Sequence, residues 1–208
     1  SSMSLNALQK KFEKTNLEIA YLTAPSSLRY IANQNPVQDL KQIINVFEKI
    51  KIINPRKLIY FSTVDAFYNV SESTDETCSL NPPNNNPYGH HRFLLEKYLS
   101  TIVEDLRVVR VGNLYGQNLK KNIIFDAMND IINISKIENN SQQWVNADWL
   151  ARLAVEEPDC FEKFMAIVSE PIEVKELLAS LPIKTSHLRF VNGSRNYDIQ
   201  TAYQYNNK

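Results

Sequence analysis

Strand-like and helix-like apolar segments alternate along this chain, and no other feature constrains the fold as strongly. Residues 57–62 (KLIYFS) and 106–112 (LRVVRVG) are short, nearly continuous apolar runs, as expected for strands buried on both faces. Between them, residues 88–104 carry apolar side chains at helical spacing. Strands that alternate with helices indicate a parallel sheet with helices on both faces. We therefore expect an α/β fold.

The same alternation extends towards both ends of the chain. Leu5, Leu8 and Phe12 share one helical face, which predicts a helix near the N-terminus. Further strands are predicted over residues 17–23, 163–169 and 187–191, and further helices over 37–50, 123–134, from about 148, and over 173–181. One long stretch, residues 69–87, is rich in Ser, Thr, Asn and Pro and is predicted to be a functional or mobile loop.

Glycine is scarce, since the 208 residues contain four: Gly89, Gly112, Gly116 and Gly193. A loop that wraps phosphate groups needs about two or three glycines within about six positions. The sequence therefore contains neither a Walker loop nor a dinucleotide-binding fingerprint.

Composition excludes several classes of function. The chain has 23 basic and 23 acidic residues, and this balance argues against general nucleic-acid binding. No apolar stretch approaches the roughly 20 residues of a membrane helix. No signal peptide is visible, so we expect a cytoplasmic protein without a membrane partner. The two cysteines, Cys78 and Cys160, are too few for a four-cysteine zinc site; we expect reduced thiols and no metal.

Polar clusters follow the predicted strands at their carboxyl ends, where parallel sheets bind ligands. They comprise residues 62–67 (STVDAF), 88–92 (YGHHR) and 110–116 (RVGNLYG). Tyr88 and Arg92 are four residues apart and so share one helical face. A cation beside a phenol lowers its pKa from about 10, which suits a general acid/base. Taken alone, such a pair is weak evidence for catalysis, because pairs of this kind are common on ordinary helix surfaces.

The adjacent histidines of the second cluster do not suggest a metal site. His90 and His91 would point about 100° apart on a helix, because a helix has about 3.6 residues per turn. We interpret both as surface or loop-facing residues.

Taken together, these clusters resemble motifs of the extended short-chain dehydrogenase/reductase family, in particular its sugar-nucleotide epimerases and dehydratases. The segment STVDAF resembles the family's Ser-Thr-Asp-Glu-Val-Tyr, and YGHHR resembles its Tyr-x-x-x-Lys. RVGNLYG is similar to its Arg-x-x-Asn-x-Tyr-Gly. Residues 144–151 (WVNADWLA) and 19–24 (IAYLTA) resemble two further family segments, and the resemblance covers roughly residues 5 to 200.

The resemblance implies a role for each matching residue. Tyr88 would be the catalytic acid/base, Thr63 would hydrogen-bond the sugar oxygen, and Arg92 would stand in place of the lysine that binds the nicotinamide ribose. Thr23 and Ala24 would border the cofactor NAD.

Two further residues are candidates for substrate binding. By the same resemblance, Asn113 would contact the nucleotide-sugar. Arg195, which follows Asn-Gly-Ser, is either a ligand of a substrate phosphate or part of a solvated turn.

The resemblance also predicts what the chain lacks. Family members begin with a strand and Gly-x-x-Gly-x-x-Gly, and their strand order is 3-2-1-4-5-6. We expect one N-terminally truncated domain over residues 4–208, with a partial Rossmann-like sheet over 4–135 and a mixed part over 136–208 that includes a small portion of the substrate domain. NAD is the expected cofactor, with affinity lost or greatly reduced for this chain alone.

Two functions remain open at this point. One is an NAD-dependent sugar-nucleotide epimerase or dehydratase of bacterial surface-polysaccharide synthesis, with Tyr88 as acid/base. The other is an inactive relative that serves as a nucleotide-sugar-binding or protein-interaction scaffold. A homodimer through residues 36–50 and 88–104, or a partner that covers the exposed edge strand at 17–23, is expected.

Overall fold

The structure is a computed structural model of the 208-residue chain. It describes residues 17–23, 25, 29–71, 74–78, 86–117, 119, 122–129, 137–183, 188–193 and 195–203. The helix predicted around Leu5, the residue Ala24 and the side chain of Cys78 lie outside the described residues.

Helices and strands alternate along the described chain. The strands are β1 (Ile19–Leu22), β2 (Lys57–Thr63), β3 (Asp105–Val111), β4 (Asn113–Tyr115), β5 (Ile137–Asn139), β6 (Ser141–Gln142), β7 (Trp144–Asn146), β8 (Phe164–Ile167), β9 (Ile172–Glu173) and β10 (Phe190–Asn192). The helices are α1 (Arg29–Gln34), α2 (Pro36–Ile53), α3 (Pro87–Leu99), α4 (Ile123–Met128), α5 (Ala147–Glu156) and α6 (Val174–Ser180). Short 3₁₀ turns occur at Val64–Ala66, Glu76–Cys78 and Pro158–Cys160.

The chain divides into two compact units, each made of several segments. The first comprises Ser1–Tyr68, Thr77–Arg110 and Phe161–Met165, and the second comprises Asn69–Glu76, Val111–Cys160 and Ala166–Lys208. The division predicted from the sequence, between residues 4–135 and 136–208, stays a prediction.

A four-stranded parallel sheet has the strand order β1-β2-β3-β8. β1 and β2 pair in register from Ile19 opposite Lys57 to Leu22 opposite Tyr60. β1 lies at one edge of the described sheet. The predicted α/β fold with a parallel sheet is therefore confirmed.

The core of the first unit lies between the sheet and helices α2 and α3. Helix α2 begins with Pro36, whose fixed φ suits a first turn, and ends at Asn54 in the left-handed conformation (φ 47°). Each large apolar side chain in this core contributes roughly 1.5–3 kcal/mol through burial. The fully or nearly buried members are Leu22, Ile43, Ile50, Leu58, Tyr60, Leu95, Leu99 and Val103.

Helix α3 ends at Leu99, five residues before the predicted end at 104. The hydroxyls of Ser100 and Thr101 donate to the carbonyl oxygens of Lys97 and Tyr98, each at 2.7 Å. Side-chain hydroxyls that bond nearby carbonyls compete with continued helix formation. The apolar pattern continues past this point because Val103 still packs in the core, although it is no longer helical.

The second unit is built from short paired strands. β4 pairs with β7 and β5 with β10, both in parallel, while β6 pairs with β9 in antiparallel orientation. Most of these strands have two or three residues, too few to show a periodicity in the sequence, and β4, β5, β6, β7 and β9 were not predicted. β10 lies near the predicted strand at 187–191, and residues 130–134 of the predicted helix at 123–134 lie outside the described residues.

Two polar side chains join distant segments of the second unit. The Glu76 carboxylate accepts hydrogen bonds from Ala166 N (2.9 Å), Thr201 Oγ1 (2.7 Å) and Ala202 N (3.2 Å). The Gln143 amide donates to the carbonyl oxygens of Ser169 (2.9 Å) and Ile199 (2.8 Å) and accepts from Ile199 N (2.8 Å). Apart from Ala166 of β8, the backbone groups that these bonds satisfy belong to no named strand.

Within the described residues, no helix combines the length and the apolar character that crossing a membrane requires.

Candidate active site

The end of β2 and the beginning of α3 bring two of the predicted catalytic residues together. Thr63 closes β2, and its Oγ1 accepts a hydrogen bond from Asp65 N at 3.2 Å, which starts the following 3₁₀ turn. Tyr88 is the second residue of α3, and its backbone N donates to Asn33 Oδ1 at 3.1 Å. A side-chain hydrogen bond joins Tyr88 to Thr63. The two hydroxyls therefore lie side by side at the carboxyl end of the sheet.

The guanidinium of Arg92 lies over the ring of Tyr88. Its guanidinium carbon is 4.3 Å from the ring centroid, a cation–π geometry, and the side chain is almost fully buried. Nη1 of Arg92 forms an ion pair with Asp39 Oδ2, and His91 Nδ1 lies 2.7 Å from the same oxygen. The pairing of Tyr88 and Arg92 predicted from their four-residue spacing is thus observed, and Asp39 from α2 is an additional member.

The interpretation of His91 as surface or loop-facing is wrong. His91 is buried, with 8% of its surface exposed, because Asp39 supplies a hydrogen-bond partner inside the first unit. No local pattern in YGHHR indicates this, since the partner lies 52 positions away along the chain.

Tyr88 is more basic than the sequence predicts. Burial raises the pKa of its phenol above the usual value of 10, and the negative charge of Asp65 raises it further. Arg92, the hydrogen bond with Thr63, and Arg29 lower the pKa, yet burial and Asp65 outweigh them. The expected net lowering is therefore wrong, and the phenol keeps its proton at neutral pH.

Asp65 and Arg29 complete the surroundings of this hydroxyl. Asp65 is 6% exposed and lies 3.7 Å from Arg29 Nη1, measured from Oδ1. Sequence reasoning assigned neither residue a role, although Asp65 lies inside the STVDAF segment. Its position two residues after Thr63, at the carboxyl end of β2, is the signal that would have identified it.

A second polar network lies deeper in the first unit. Ser62 Oγ donates to Glu96 Oε1 at 2.5 Å, and Arg110 binds both oxygens of Glu96, from Nε at 3.1 Å and from Nη2 at 2.6 Å. Burial and the charge of Glu96 raise the pKa of Tyr60 well above its usual range. Burial thus holds a second phenol of this unit in its protonated form.

No described contact joins the remaining predicted site residues to Tyr88, and Ala24 is outside the described chain. Thr23, exposed, follows β1 in the first unit, and Ala24 is not among the described residues. Asn113, on β4 of the second unit, donates from Nδ2 to Gln142 Oε1 at 2.5 Å. Arg195, also in the second unit, has its guanidinium carbon 5.2 Å from the ring of Tyr197. Their predicted roles stay predictions.

The sequence profile of the NAD dependent epimerase/dehydratase family matches residues 4–150. The chain belongs to this family. The resemblance seen in the sequence motifs is thereby confirmed, and sugar-nucleotide epimerases and dehydratases are its structural relatives.

Three solved structures illustrate the similarity of this epimerase/dehydratase fold. UDP-glucose 4-epimerase from Thermotoga maritima, with UDP-glucose, has a TM-score of 0.75 at 16% identity over 96% of this chain and 73% of that chain. UDP-glucose 4-epimerase from Thermus thermophilus, in complex with NAD, has a TM-score of 0.73 at 15% identity over 95% and 73%. A double mutant of dTDP-glucose 4,6-dehydratase from Streptomyces venezuelae, with NAD bound, has a TM-score of 0.73 at 16% identity, over 95% of this chain and 68% of that chain. At these identities the likeness shows the fold.

No curated protein sequence matches the chain significantly.

The glycines of this family member do not form a loop that would bind the NAD pyrophosphate. A Cβ at Gly112 would lie 2.7 Å from the carbonyl oxygen of Gln143, so this glycine serves close backbone packing. Gly116 faces the carboxylate of Asp148, which would repel a phosphate. Arg92, predicted at the ribose, forms an ion pair with Asp39.

Proposed function

We propose that this chain acts on a nucleotide-sugar as an epimerase or dehydratase, with Tyr88 as the group that transfers a proton at a sugar oxygen. The observation that carries the proposal is the hydrogen bond between Tyr88 and Thr63 at the carboxyl end of a parallel sheet. Ligands of open α/β folds bind at this edge. Two hydroxyls there supply a donor and an acceptor to one substrate oxygen.

The raised pKa of Tyr88 defines the direction of its first step. A protonated phenol donates a hydrogen bond to a carbonyl or hydroxyl oxygen of the sugar and passes its proton when charge develops there. Thr63 accepts from or donates to the same oxygen, which fixes its position. Arg92, stacked on the ring, favours the phenolate that remains after the proton has left.

The family and the ligands of similar structures support the proposed substrate class. The Thermotoga maritima structure contains UDP-glucose, and the Streptomyces venezuelae enzyme is a dTDP-glucose dehydratase. We extend the proposal to pyrimidine nucleotide-hexoses, with Asn113 and Arg195 as substrate contacts. A role in bacterial surface-polysaccharide synthesis is proposed on this substrate class alone.

Turnover with matched tyrosine variants tests the proposal. The purified protein, with NAD added, is incubated with UDP-glucose or dTDP-glucose, and the nucleotide-sugars are separated by ion-exchange chromatography. Tyr88→Phe is expected to reduce turnover by about 10²–10⁴-fold, as loss of a general acid/base does. Tyr98→Phe, on the same helix but 40% exposed, is the control and should retain activity. Equal rates for wild type and Tyr88→Phe would exclude the proposed role.

The non-catalytic alternative is supported by a separate observation, the ion pair that Arg92 forms with Asp39. A cation committed to a carboxylate favours the phenolate less, and the scarcity of glycine gives no loop for the NAD pyrophosphate. In this case calorimetry would show binding of UDP-glucose without turnover. A titration of NAD separates the two functions, because micromolar binding favours the enzyme and none at millimolar NAD favours the scaffold.

A second copy of the chain is the proposed partner. Val37 and Ile44 on α2 and Tyr98 on α3 are 69%, 49% and 40% exposed, which leaves apolar surface on the two helices predicted to form a homodimer. β1, an edge strand of the described sheet, is the alternative contact. Sedimentation velocity of wild type and Ile44→Glu tests this, since a dimer through α2 and α3 should dissociate in the variant. If the dimer dissociates only after a substitution in β1, the edge of the sheet is the favoured contact.

A further inference from the structure

Asp39 joins two helices through a single oxygen atom. It lies in the first turn of α2 and is 6% exposed, and its Oδ2 binds two neighbouring side chains of α3, His91 and Arg92. A buried carboxylate needs compensating donors, and here they include a guanidinium. The ion pair therefore restricts the orientation of the Arg92 side chain.

That orientation places the guanidinium over Tyr88. Nη1 of Arg92 faces Asp39 while the guanidinium carbon lies 4.3 Å from the ring centroid. A guanidinium is planar and keeps its charge at every accessible pH. Asp39 consequently determines both where this charge lies and how much of it remains uncompensated near the phenol.

We propose that Asp39 is a positioning residue of this site, acting on Tyr88 through Arg92. Its importance for catalysis rests on the proposed function of Tyr88, whereas its effect on the phenol does not. The charged groups around Tyr88 come from several elements: Asp65 from the turn after β2, Arg29 from α1, and Arg92 from α3 itself, with His91 and Asp39 behind it. Asp39 contacts Arg92 and His91, and a single substitution by Asn neutralises it.

The test measures the ionisation of Tyr88 directly. Tyrosine labelled with ¹³C at Cζ reports phenol ionisation by NMR, and Tyr88→Phe identifies the signal. In Asp39→Asn the guanidinium of Arg92 no longer faces the carboxylate charge that its Nη1 contacts, so the pKa of Tyr88 should fall by about one unit or more. Asp105→Asn, which removes the carboxylate that Arg107 Nε contacts at 2.6 Å, is the matched control and should leave the Tyr88 signal unchanged. An unchanged or raised pKa in Asp39→Asn would overturn the proposal.

A second background shows whether Asp39 acts through Arg92. In the Arg92→Gln background, adding Asp39→Asn should change the pKa of Tyr88 by less than about a third of the change that it causes in the wild-type background. The two effects differ because substitutions of residues that contact each other are not additive. This double variant contains no uncompensated charge from the pair. If Asp39→Asn alone does not fold, the double variant is compared with Arg92→Gln, and a difference of about one unit or more in the pKa of Tyr88 would contradict the proposal. The same shift in both backgrounds would mean that Asp39 acts directly, and the proposal would fail.

A wild-type measurement completes the test. If Asp39 fixes the guanidinium, the two Nη nitrogens of Arg92 should give separate ¹⁵N signals at 25 °C. A guanidinium that rotates freely gives one averaged signal, and that result would contradict the proposal. None of these readouts requires turnover. If the protein is inactive but shows the expected NMR shifts, the proposed enzyme function is refuted and the proposed role of Asp39 stands. If it is active but lacks the shifts, the enzyme function stands and the role of Asp39 is refuted.

Discussion

Arg110 and Glu96 form a two-point ion pair in which Nε lies 3.1 Å from Oε1 and Nη2 lies 2.6 Å from Oε2. Arg110 has no exposed surface, and its guanidinium carbon lies 4.4 Å from the ring centroid of Phe67 and 4.7 Å from that of Phe164. The pair links the end of β3 to α3 inside the first unit. Its stability depends on both charges being present.

Removal of one member of this pair should destabilise the protein strongly. In Arg110→Met, Glu96 keeps its buried charge with Ser62 as donor, and we expect a loss of about 3–5 kcal/mol in the free energy of unfolding. Urea unfolding followed by circular dichroism gives this value.

Arg107→Met is the matched control, since Arg107 pairs with Asp105 where both side chains are about a quarter exposed. Such a pair contributes about 0–1 kcal/mol. The double variant Arg110→Met/Glu96→Gln should recover part of the lost stability. Equal losses for Arg107→Met and Arg110→Met would show that burial does not decide the effect.

Alkaline pH should destabilise the fold through its buried phenols. The pKa values of Tyr60 and Tyr88 are raised, so the folded protein keeps both protons at a pH where the unfolded chain has released them. Above about pH 10 the unfolded state binds fewer protons, and stability falls by up to about 1.4 kcal/mol per pH unit for each tyrosine. Below about pH 10 these two tyrosines do not make the free energy of unfolding depend on pH, because both stay protonated in the folded and the unfolded state.

Unfolding free energies at pH 9, 10 and 11 test this dependence. Tyr60→Phe should flatten the decline, because it removes one of the two phenols. Tyr68→Phe, at an exposed position, is the control. An identical slope in wild type and Tyr60→Phe would contradict the assignment.

Thr63 should act on Tyr88 through its hydroxyl. Its hydrogen bond lowers the pKa of Tyr88, so Thr63→Val is expected to raise that pKa and to reduce turnover of the nucleotide-sugar by at least about tenfold. Thr63→Ser keeps the hydroxyl, which also accepts from Asp65 N, and should stay near wild type. The pKa is measured by ¹³Cζ NMR and the activity by the turnover assay. If Thr63→Ser loses as much activity as Thr63→Val, the hydroxyl is not the cause of the loss.

Substitution of Gln143 should reduce the free energy of unfolding more than substitution of any other amide side chain described in the second unit. Gln143→Leu leaves the carbonyl of Ser169 and both backbone groups of Ile199 without this partner, and we expect a loss of about 2–4 kcal/mol. Amide exchange at Ile199 N should accelerate as well. Gln200→Leu, an exposed site, is the comparison, and a similar loss there would argue against burial as the cause.

The long apolar elements were predictable from the sequence. β2 (Lys57–Thr63) matches the predicted 57–62 closely, and α2 and β3 differ by a few residues, because burial on a regular face imposes a period on the sequence. Strands of two or three residues, such as β6 and β9, leave no such period. Their pairing is fixed by contacts between distant segments.

The site was predictable to the extent that it is local. Thr63, Tyr88 and Arg92 lie in contiguous motifs, and the structure brings them together. Asp39 and the burial of His91 depend on how α2 packs on α3, and the direction of the pKa of Tyr88 depends on burial that no spacing along the chain reveals.

The hydrogen bonds of Glu76 bear on folding during synthesis. Its carboxylate binds Ala166, Thr201 and Ala202, which are 90 to 126 positions further along the chain. At about 5–20 residues per second, roughly 6–25 seconds pass between the synthesis of Glu76 and that of its last partner. During that interval the carboxylate stays hydrated, and Glu76 cannot complete its hydrogen bonds until position 202 has emerged from the ribosome. A nascent chain halted before that point should therefore remain protease-sensitive around residue 76 even when its first unit is already protected.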